Sequence, residues 1–244
     1  GLKPGLATSS NFLHRGCDQL IHDIALQDLD VTLAIDRAGL VGQDGPTHHG
    51  TFDLSYLRCI PNMVIGAPSD ENQCRHMLQS AWLHEGPAAI RYPRGEGRGV
   101  PIDSSLSPLT IGKGEVVREG RDIAILNFGV LLDQALIAAE TLNASVIDMR
   151  WVKPLDEALI LSVAERHHCL ITLEENAIAG GAGSSIAEFI AQSGATCAVR
   201  HIGIPDTFIA HAGQGECRQL AGLTAEAIVA AAQTSVPMAS QQTL

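Results

Sequence analysis

The segment from Asp36 to Gly50 concentrates side chains that could carry out chemistry. It holds four glycines, one proline, two aspartates, one arginine and two adjacent histidines. Glycine and proline set turns rather than core packing. Histidine titrates near neutral pH, so it can transfer protons or hold an oxyanion. We therefore expect a functional role for His48 and favour it over His49, whereas no spacing in the chain predicts a zinc site.

Three arginines each follow a predicted strand: Arg37, Arg91 and Arg94. The planar guanidinium donates paired hydrogen bonds, which suits a phosphate group. Several arginines at one edge of a sheet in an acidic protein indicate a small phosphorylated substrate. A functional role is favoured for Arg37 and Arg94, while substrate binding and a salt bridge are weighed equally for Arg91. Arg15 is predicted near the start of a helix, where the dipole does not favour a cation, so it either answers a nearby anion or is solvated.

The elements that must position these side chains alternate between strand and helix. Apolar runs predict strands at 31–35, within 61–66 and at 88–92. Helices are predicted over about 12–27, over 51–58 and after Ser69, which is expected to be the N-cap. This alternation predicts a parallel sheet covered on both faces, with ligands beyond the carboxyl ends of the strands.

A second alternating run follows a linker-like stretch at 93–110 that is rich in glycine, proline and serine, with a domain boundary expected at about 105–110. Strands are predicted at 114–118, 122–128, 144–149, 169–174 and 198–202, and helices at 131–142, at 156–167, from Ser184 and from about Ala225. The glycine-rich turn at 180–183 is interpreted as a structural or interface turn, because the neighbouring carboxylates of Glu174 and Glu175 disfavour a bound anion. The predicted fold class is α/β with two domains, 1–108 and 109–240, each a mainly parallel sheet covered by helices.

Composition narrows the class of protein. The chain has 244 residues, 45% of them apolar, and a net charge of −11, which supports a real core and argues against nucleic acid or anionic membrane as partners. No run of about 18 apolar residues exists, so no membrane span is expected. The six cysteines form no CxxC pair and are expected to be free thiols in a reducing cytoplasm. The start of the chain lacks a secretion signal and an initiator methionine, so we expect processing or a longer parent chain.

Several separated stretches resemble 1-deoxy-D-xylulose-5-phosphate synthase, a family that belongs with the transketolases. They are residues 36–50, 52–61, 68–72, 91–95, 148–156 and 174–177 with the turn at 180–183. The resemblance implies thiamine diphosphate and Mg²⁺ as cofactors, and the joining of pyruvate to glyceraldehyde 3-phosphate with loss of carbon dioxide. The family's product feeds isoprenoid, thiamine and pyridoxal synthesis. Of the family's diphosphate-binding, pyrimidine-binding and C-terminal domains, this chain matches most of the second and the third.

The resemblance also implies roles on the substrate side. His48 matches the family's active-site histidine, which handles protons on the bound intermediate and the acceptor. Asp44 matches an aspartate close to the substrate. Three family arginines that contact the triose phosphate are matched by Arg15, Arg37 and Arg94.

On the cofactor side, Phe12 matches the aromatic ring that stacks on the thiamine pyrimidine. Ser9 stands where the family usually has a tyrosine. The family's motifs for magnesium and diphosphate, and its glutamate that activates the thiamine ring, have no match here. We therefore predict no metal ligands in this chain, a need for a separate diphosphate-binding half, no activity of the isolated chain, and a homodimer for the full enzyme.

Two alternatives remain open. The chain could be a non-catalytic, truncated relative that dimerises or binds a partner. It could also be the partner subunit of another thiamine-dependent enzyme, such as a 2-oxo acid dehydrogenase. The sequences at 47–50 and 92–95 argue against this last interpretation.

Overall fold

The computed structural model describes residues 2–233, whose strands form two five-stranded sheets. In chain order the strands are β1 (Gly5–Ser9), β2 (Thr32–Asp36), β3 (Val64–Gly66), β4 (Ala88–Arg91), β5 (Glu115–Arg118), β6 (Asp122–Phe128), β7 (Ser145–Asp148), β8 (Trp151–Lys153), β9 (His167–Ala177) and β10 (Ala198–Ile204). The first sheet has the order β1-β2-β4-β3-β8 and the second β10-β9-β6-β7-β5. Each sheet is parallel except for one antiparallel edge strand, β8 or β5.

Helices connect and cover these strands, which confirms the predicted fold class. The α-helices of the described residues are α1 (Ser10–Leu13), α2 (Cys17–Gln19), α3 (Asp53–Leu57), α4 (Glu71–Leu83), α5 (Leu132–Leu142), α6 (Glu157–Ala164), α7 (Ala182–Ser193), α8 (Gln214–Leu220) and α9 (Ala225–Gln233). Short 3₁₀ turns occur at His14–Gly16 and Gly45–Thr47, and a π-helical segment at Leu20–Ala25. The predicted domain limit at residue 240 lies outside the described residues.

The beginning of the chain differs from its prediction. The single helix expected over 12–27 is a succession of α, 3₁₀ and π turns from Ser10 to Ala25. Strand β1 was not predicted as a separate element, because it lies at the edge of its sheet and its residues are mostly exposed. It pairs in parallel with β2, with Ser9 opposite Asp36.

The expected N-cap of helix α4 was wrong by one residue. Asp70, not Ser69, caps the helix, since its carboxylate accepts a hydrogen bond from the Gln73 amide at 2.8 Å. The Ser69 hydroxyl instead donates to the buried carboxylate of Asp148 at 3.0 Å. Both residue types are good N-caps, so the sequence alone did not separate them.

One helix boundary and one helix were missed in the second half of the chain. The helix expected to reach His167 ends at Ala164, and His167 begins β9 with its ring bonded to the Val163 carbonyl oxygen at 2.7 Å. Helix α8 was not predicted, because its sequence is short and polar and lacks an apolar stripe.

The two sheets are joined by a shared core. One buried cluster contains Leu33 and Ile35 of β2 together with Phe128 of β6 and Ile147 of β7. Strand β8 also crosses from one half of the chain to the other, since it pairs with β3 of the first sheet. Its Trp151 is fully buried in a cluster with the first sheet.

The linker-like stretch is fixed to helix α4. The Glu71 carboxylate accepts hydrogen bonds from the backbone amides of Arg98, Gly99 and Val100, at 2.7–3.1 Å. Further along, the His76 ring bonds the Ser107 amide at 3.0 Å and the Asp103 carboxylate at 2.8 Å. A composition typical of a linker therefore belongs here to a segment held along its length.

Two predictions from composition can be compared with the structure. None of the six cysteines forms a disulfide within residues 2–233. Among these residues, the helices are all too short or too polar to cross a membrane.

Candidate active site

Three loops carry the predicted site residues to one edge of the first sheet. Phe12 follows β1, Arg37 follows β2 and Arg94 follows β4. These strands are parallel neighbours in the order β1-β2-β4. The carboxyl ends of parallel strands meet at the same edge, so the fold itself brings the three loops together.

The loop after β2 is closed at its base by backbone hydrogen bonds. The Gly39 amide donates to the Gly50 carbonyl oxygen at 2.7 Å, and the Gly50 amide donates to the Gly39 oxygen at 2.8 Å. Arg37, just before this closure, has a φ of 55°, a left-handed conformation that is unfavourable for a residue with a long side chain. The surrounding hydrogen bonds hold it there, which fixes the direction in which its side chain leaves the sheet.

The carboxylate of Asp44 joins the two predicted phosphate-binding arginines. One of its oxygens accepts from Arg94 Nη1 at 2.5 Å and from Arg37 Nη1 at 3.4 Å. All three side chains are partly exposed, so their ion pairs contribute little to stability. The arrangement is a small charged cluster at the surface that an incoming anion can reach.

His48 lies on the same loop and beside Phe12. Its Nδ1 atom is 2.9 Å from the Thr47 hydroxyl, and its ring centroid is 6.1 Å from that of Phe12 in an edge-to-face arrangement. Within residues 2–233, its Nε2 atom makes no protein hydrogen bond. The Asn11 amide donates to the Thr47 carbonyl oxygen at 3.0 Å, which ties this turn to helix α1. The structure thus places an imidazole with one anchored nitrogen next to an exposed aromatic ring.

His49 and Arg91 are buried and support the structure around this site. His49 is buried, and its Nδ1 atom accepts from the Val41 amide at 3.1 Å; burial lowers the pKa of the ring. Arg91 is only 4% exposed and pairs with the fully buried Asp53 through two hydrogen bonds of 2.9 and 3.0 Å. Of the two interpretations of Arg91, the salt bridge is correct, because its buried guanidinium pairs with Asp53.

Arg15 lies outside the charged cluster. It occupies the exposed 3₁₀ turn after α1 and forms no ion pair or hydrogen bond with its side chain among the described residues. Among residues 2–233, no hydrogen bond or ion pair connects it to Asp44, Arg37 or Arg94. Its role at a phosphate stays a prediction.

The glycine-rich turn before α7 binds a carboxyl group of the same chain, that of Glu174. The Glu174 carboxylate accepts hydrogen bonds from the Ala182 and Gly183 amides at 2.7 and 2.8 Å. These are the amides that would otherwise bind a phosphate at the start of a helix. Burial raises the pKa of Glu174 to about 7. The interpretation of this turn as structural agrees with this contact.

Glu175 connects the second sheet to the loop that carries His48. Its carboxylate accepts from the Leu40 amide at 3.3 Å and from the Arg218 guanidinium at 3.0 and 3.2 Å. The Leu40 side chain is fully buried in the core of the second sheet. The sequence signal for this contact is an apolar residue, Leu40, inside an otherwise polar, glycine-rich loop.

A cavity of about 340 Å³ lies next to the charged cluster. Arg94 and Tyr92 line it from the first half of the chain, and Gln214 and Arg218 line it from the second. The residues beside Arg94 thus come from both halves. Space for a small substrate exists at this boundary.

Residues near Phe12 fit the pyrimidine end of thiamine diphosphate but not its diphosphate end. Phe12 is 59% exposed and free to stack on a ring. Three buried oxygen atoms at or just after the ends of β1 and β2 have no hydrogen-bond partner among residues 2–233: Ser10 Oγ, Asn11 Oδ1 and Asp36 Oδ1. Residues 2–233 contain no group of three or more histidine, cysteine or acidic side chains able to hold a metal ion.

Comparison with known proteins identifies the family. The family models described as "Transketolase, pyrimidine binding domain" and "Transketolase, C-terminal domain" match residues 1–99 and 112–228. A solved structure titled "Split gene transketolase, inactive beta4 tetramer" superposes with a TM-score of 0.86 at 31% identity, covering 96% of this chain and 77% of that one. This chain belongs to the transketolase family.

Within the transketolase family, the chain is similar to 1-deoxy-D-xylulose-5-phosphate synthases. It is 57% identical to the synthase of Pseudomonas syringae pv. syringae over 231 residues, and 58% identical to that of Vibrio vulnificus over 228 residues. These alignments cover 95% and 93% of this chain but only 37% of each synthase. The chain therefore spans little more than a third of the length of these relatives.

Proposed function

We propose that this chain is the acceptor-binding portion of a 1-deoxy-D-xylulose-5-phosphate synthase. The reaction is the joining of pyruvate to glyceraldehyde 3-phosphate with loss of carbon dioxide. The observation that supports it best is the cluster in which Asp44, on the loop that bears His48, contacts both Arg37 of the same loop and Arg94 of the loop after β4. Two guanidinium groups and an imidazole at one sheet edge suit an aldehyde that carries a phosphate.

Each residue has a role in this proposal. Arg37 and Arg94 bind the phosphate, and Asp44 pairs with them when no phosphate is present. His48 donates a proton to the aldehyde oxygen of the acceptor as the new bond forms, since its Nε2 atom is available. Thiamine diphosphate, when bound, supplies the carbanion chemistry that these side chains cannot.

The cofactor would be shared with a diphosphate-binding half. Phe12 would stack on the pyrimidine ring, whereas the ligands of Mg²⁺ and of the diphosphate would come from the other half. We infer that the isolated chain is inactive and that the complete enzyme is a homodimer. The cytoplasmic location inferred from the cysteine pattern stays a prediction, as does the phosphate contact of Arg15.

A second candidate function is a self-assembling subunit without activity of its own. The similarity to a solved split-gene transketolase that is described as an inactive tetramer favours it. This candidate differs from the first in one respect, because it predicts no activity even when a diphosphate-binding half is supplied.

Variants of His48 and Arg94 test the first proposal in an assembly with a diphosphate-binding half. His48→Ala is expected to lower kcat by roughly 10²-fold or more, the usual effect of removing a proton-transfer group. Arg94→Ala is expected mainly to raise KM for glyceraldehyde 3-phosphate, because it removes a charged hydrogen bond to the phosphate. Arg200→Ala changes an exposed arginine of β10 and is the control. Equal, negligible effects of the first two variants would refute these assignments.

A further inference from the structure

We propose that Gln214 is a positioning residue that sets the separation between the two arginine-bearing loops. It is the first residue of helix α8, in the second half of the chain. Its side-chain amide nitrogen donates to the Leu40 carbonyl oxygen at 2.7 Å and to the Arg94 carbonyl oxygen at 3.2 Å. One amide group thus bonds the backbone of both loops. This inference rests on the proposed function, in which those loops bind the phosphate.

The two bonded carbonyl groups belong to the two sides of the charged cluster. Leu40 lies on the loop that carries Arg37 and Asp44, and Arg94 lies on the loop after β4. The two N–H groups of an amide lie in one plane with a fixed angle between them. Bonding both carbonyl groups to one such nitrogen therefore fixes the spacing of the two loop backbones to within hydrogen-bond tolerance.

The loop after β2 also lies directly on the segment that leads into α8. A Cβ atom at Gly42 would lie 3.1 Å from the backbone nitrogen of Gln214, and one at Gly45 would lie 2.9 Å from His211 Cβ. Both glycines have positive φ, at 88° and 71°. Only glycine allows such a close approach at these two positions. The loop therefore packs directly against the second half of the chain.

The expected consequence is specific to the phosphate. Without the Gln214 bonds, the Arg94 loop loses a connection to the loop of Arg37 and Asp44, and the two arginines no longer hold one fixed spacing. His48 is anchored separately, through Thr47 and helix α1. Proton transfer by His48 should therefore survive the change.

Steady-state kinetics in an assembly with a diphosphate-binding half provide the test. Gln214→Met keeps the length of the side chain but removes both hydrogen bonds. It should raise KM for glyceraldehyde 3-phosphate roughly tenfold, the loss that one to two hydrogen bonds account for, with little change in kcat. With unphosphorylated glyceraldehyde as the acceptor, the variant and the wild type should have the same KM.

The matched control is Gln219→Met, which changes an exposed glutamine of the same helix. Its kinetics should equal those of the wild type. A Gln214→Met protein with unchanged KM for the phosphorylated acceptor would overturn the proposal. So would an equal rise in KM for both acceptors, because that result indicates a general loss of structure.

Amide hydrogen exchange separates this inference from the proposed function. If the assembly with a diphosphate-binding half forms no product, the proposed function fails, but exchange on this chain still tests Gln214. Gln214→Met should accelerate exchange of the Ala38 and Leu40 amides, which are hydrogen-bonded to the Tyr92 carbonyl oxygen and the Glu175 carboxylate, by roughly tenfold, whereas Gln219→Met should not. Unchanged exchange at both amides would overturn the positioning role.

Discussion

Glu174 places an ionisable carboxylate at the start of helix α7 where almost no water reaches it. Burial raises its pKa to about 7 from an ordinary value of 4.5. Between these two values the folded chain binds more protons than the unfolded chain, so the free energy of unfolding must fall as pH rises. The stabilisation that this group contributes is complete below pH 4.5 and is lost as pH passes 7.

Glu174→Gln should remove this pH dependence. Across pH 5–8, the free energy of unfolding of the wild type should fall relative to that of the variant, by up to roughly 3 kcal/mol. Urea denaturation at several pH values measures the difference. Glu157→Gln, at an exposed position of α6, is the control and should follow the wild type. Parallel pH profiles for the wild type and Glu174→Gln would contradict the account.

Single residues also show where sequence reasoning reached its limit. Arg37 and Arg94 follow strands and Arg91 is the last residue of β4, so the sequence grouped them correctly at one edge of the first sheet. The burial of their side chains distinguishes them. Arg91 pairs with Asp53 inside the protein, whereas the other two pair with Asp44 at the surface. A sequence shows where an arginine leaves a strand but not which carboxylate the fold brings to it.

At the scale of elements, the loop after β2 depends on glycines that let it approach the second sheet. A Cβ atom at Gly39 would lie 2.7 Å from the side chain of Glu175, which cannot move aside because Leu40 and Arg218 hold it. Gly39 also has a φ of 79°. Both the contact and the conformation therefore oppose a larger residue.

Gly39→Ala should destabilise the chain more than the conformation alone explains. Gly194 has a nearly identical φ of 78° but open space around it, so Gly194→Ala measures the conformational cost alone, roughly 1–2 kcal/mol. Gly39→Ala should cost roughly 1–3 kcal/mol more, because it adds overpacking. Thermal denaturation of both variants measures the two costs. Equal costs would show that Glu175 does not support the loop.

The elements that the sequence predicted well share a strong pattern. Strand β6 is a continuous apolar run and helix α5 is rich in alanine and leucine, and both lie close to their predicted bounds. Strand β1 and helix α8 carry no such pattern, because an exposed edge strand and a short polar helix bury little surface. Their stability comes from contacts distant in sequence, which periodicity does not record.

Across the whole molecule, the two halves meet at the Glu175 carboxylate, which belongs to the second half and accepts a hydrogen bond from the Leu40 amide of the first half. Glu175 is 1% exposed, and Arg218 pairs with it through two hydrogen bonds. The sequence predicted two sheets but not the contacts between them, since such contacts depend on the relative placement of the halves. For this reason, the sequence did not predict that Glu175 and Gln214 hold the loops of the candidate site.

Removing this pair should loosen the boundary. Arg218→Met leaves the Glu175 carboxylate buried without its guanidinium partner, which should cost roughly 3 kcal/mol in the free energy of unfolding. Arg166→Met breaks an exposed pair with Glu119 and should cost less than about 1 kcal/mol. Chemical denaturation compares the two variants, and similar small losses would mean that the buried pair is not needed.

We propose that this chain supplies the acceptor side of a thiamine-dependent site whose diphosphate side belongs to another half. Pyruvate decarboxylation in the presence of thiamine diphosphate, Mg²⁺ and glyceraldehyde 3-phosphate is the decisive assay. We expect no turnover by this chain alone, and turnover with a phosphorylated ketose product once a diphosphate-binding half from a related synthase is added. Absence of turnover in a correctly folded assembly of both halves would contradict it.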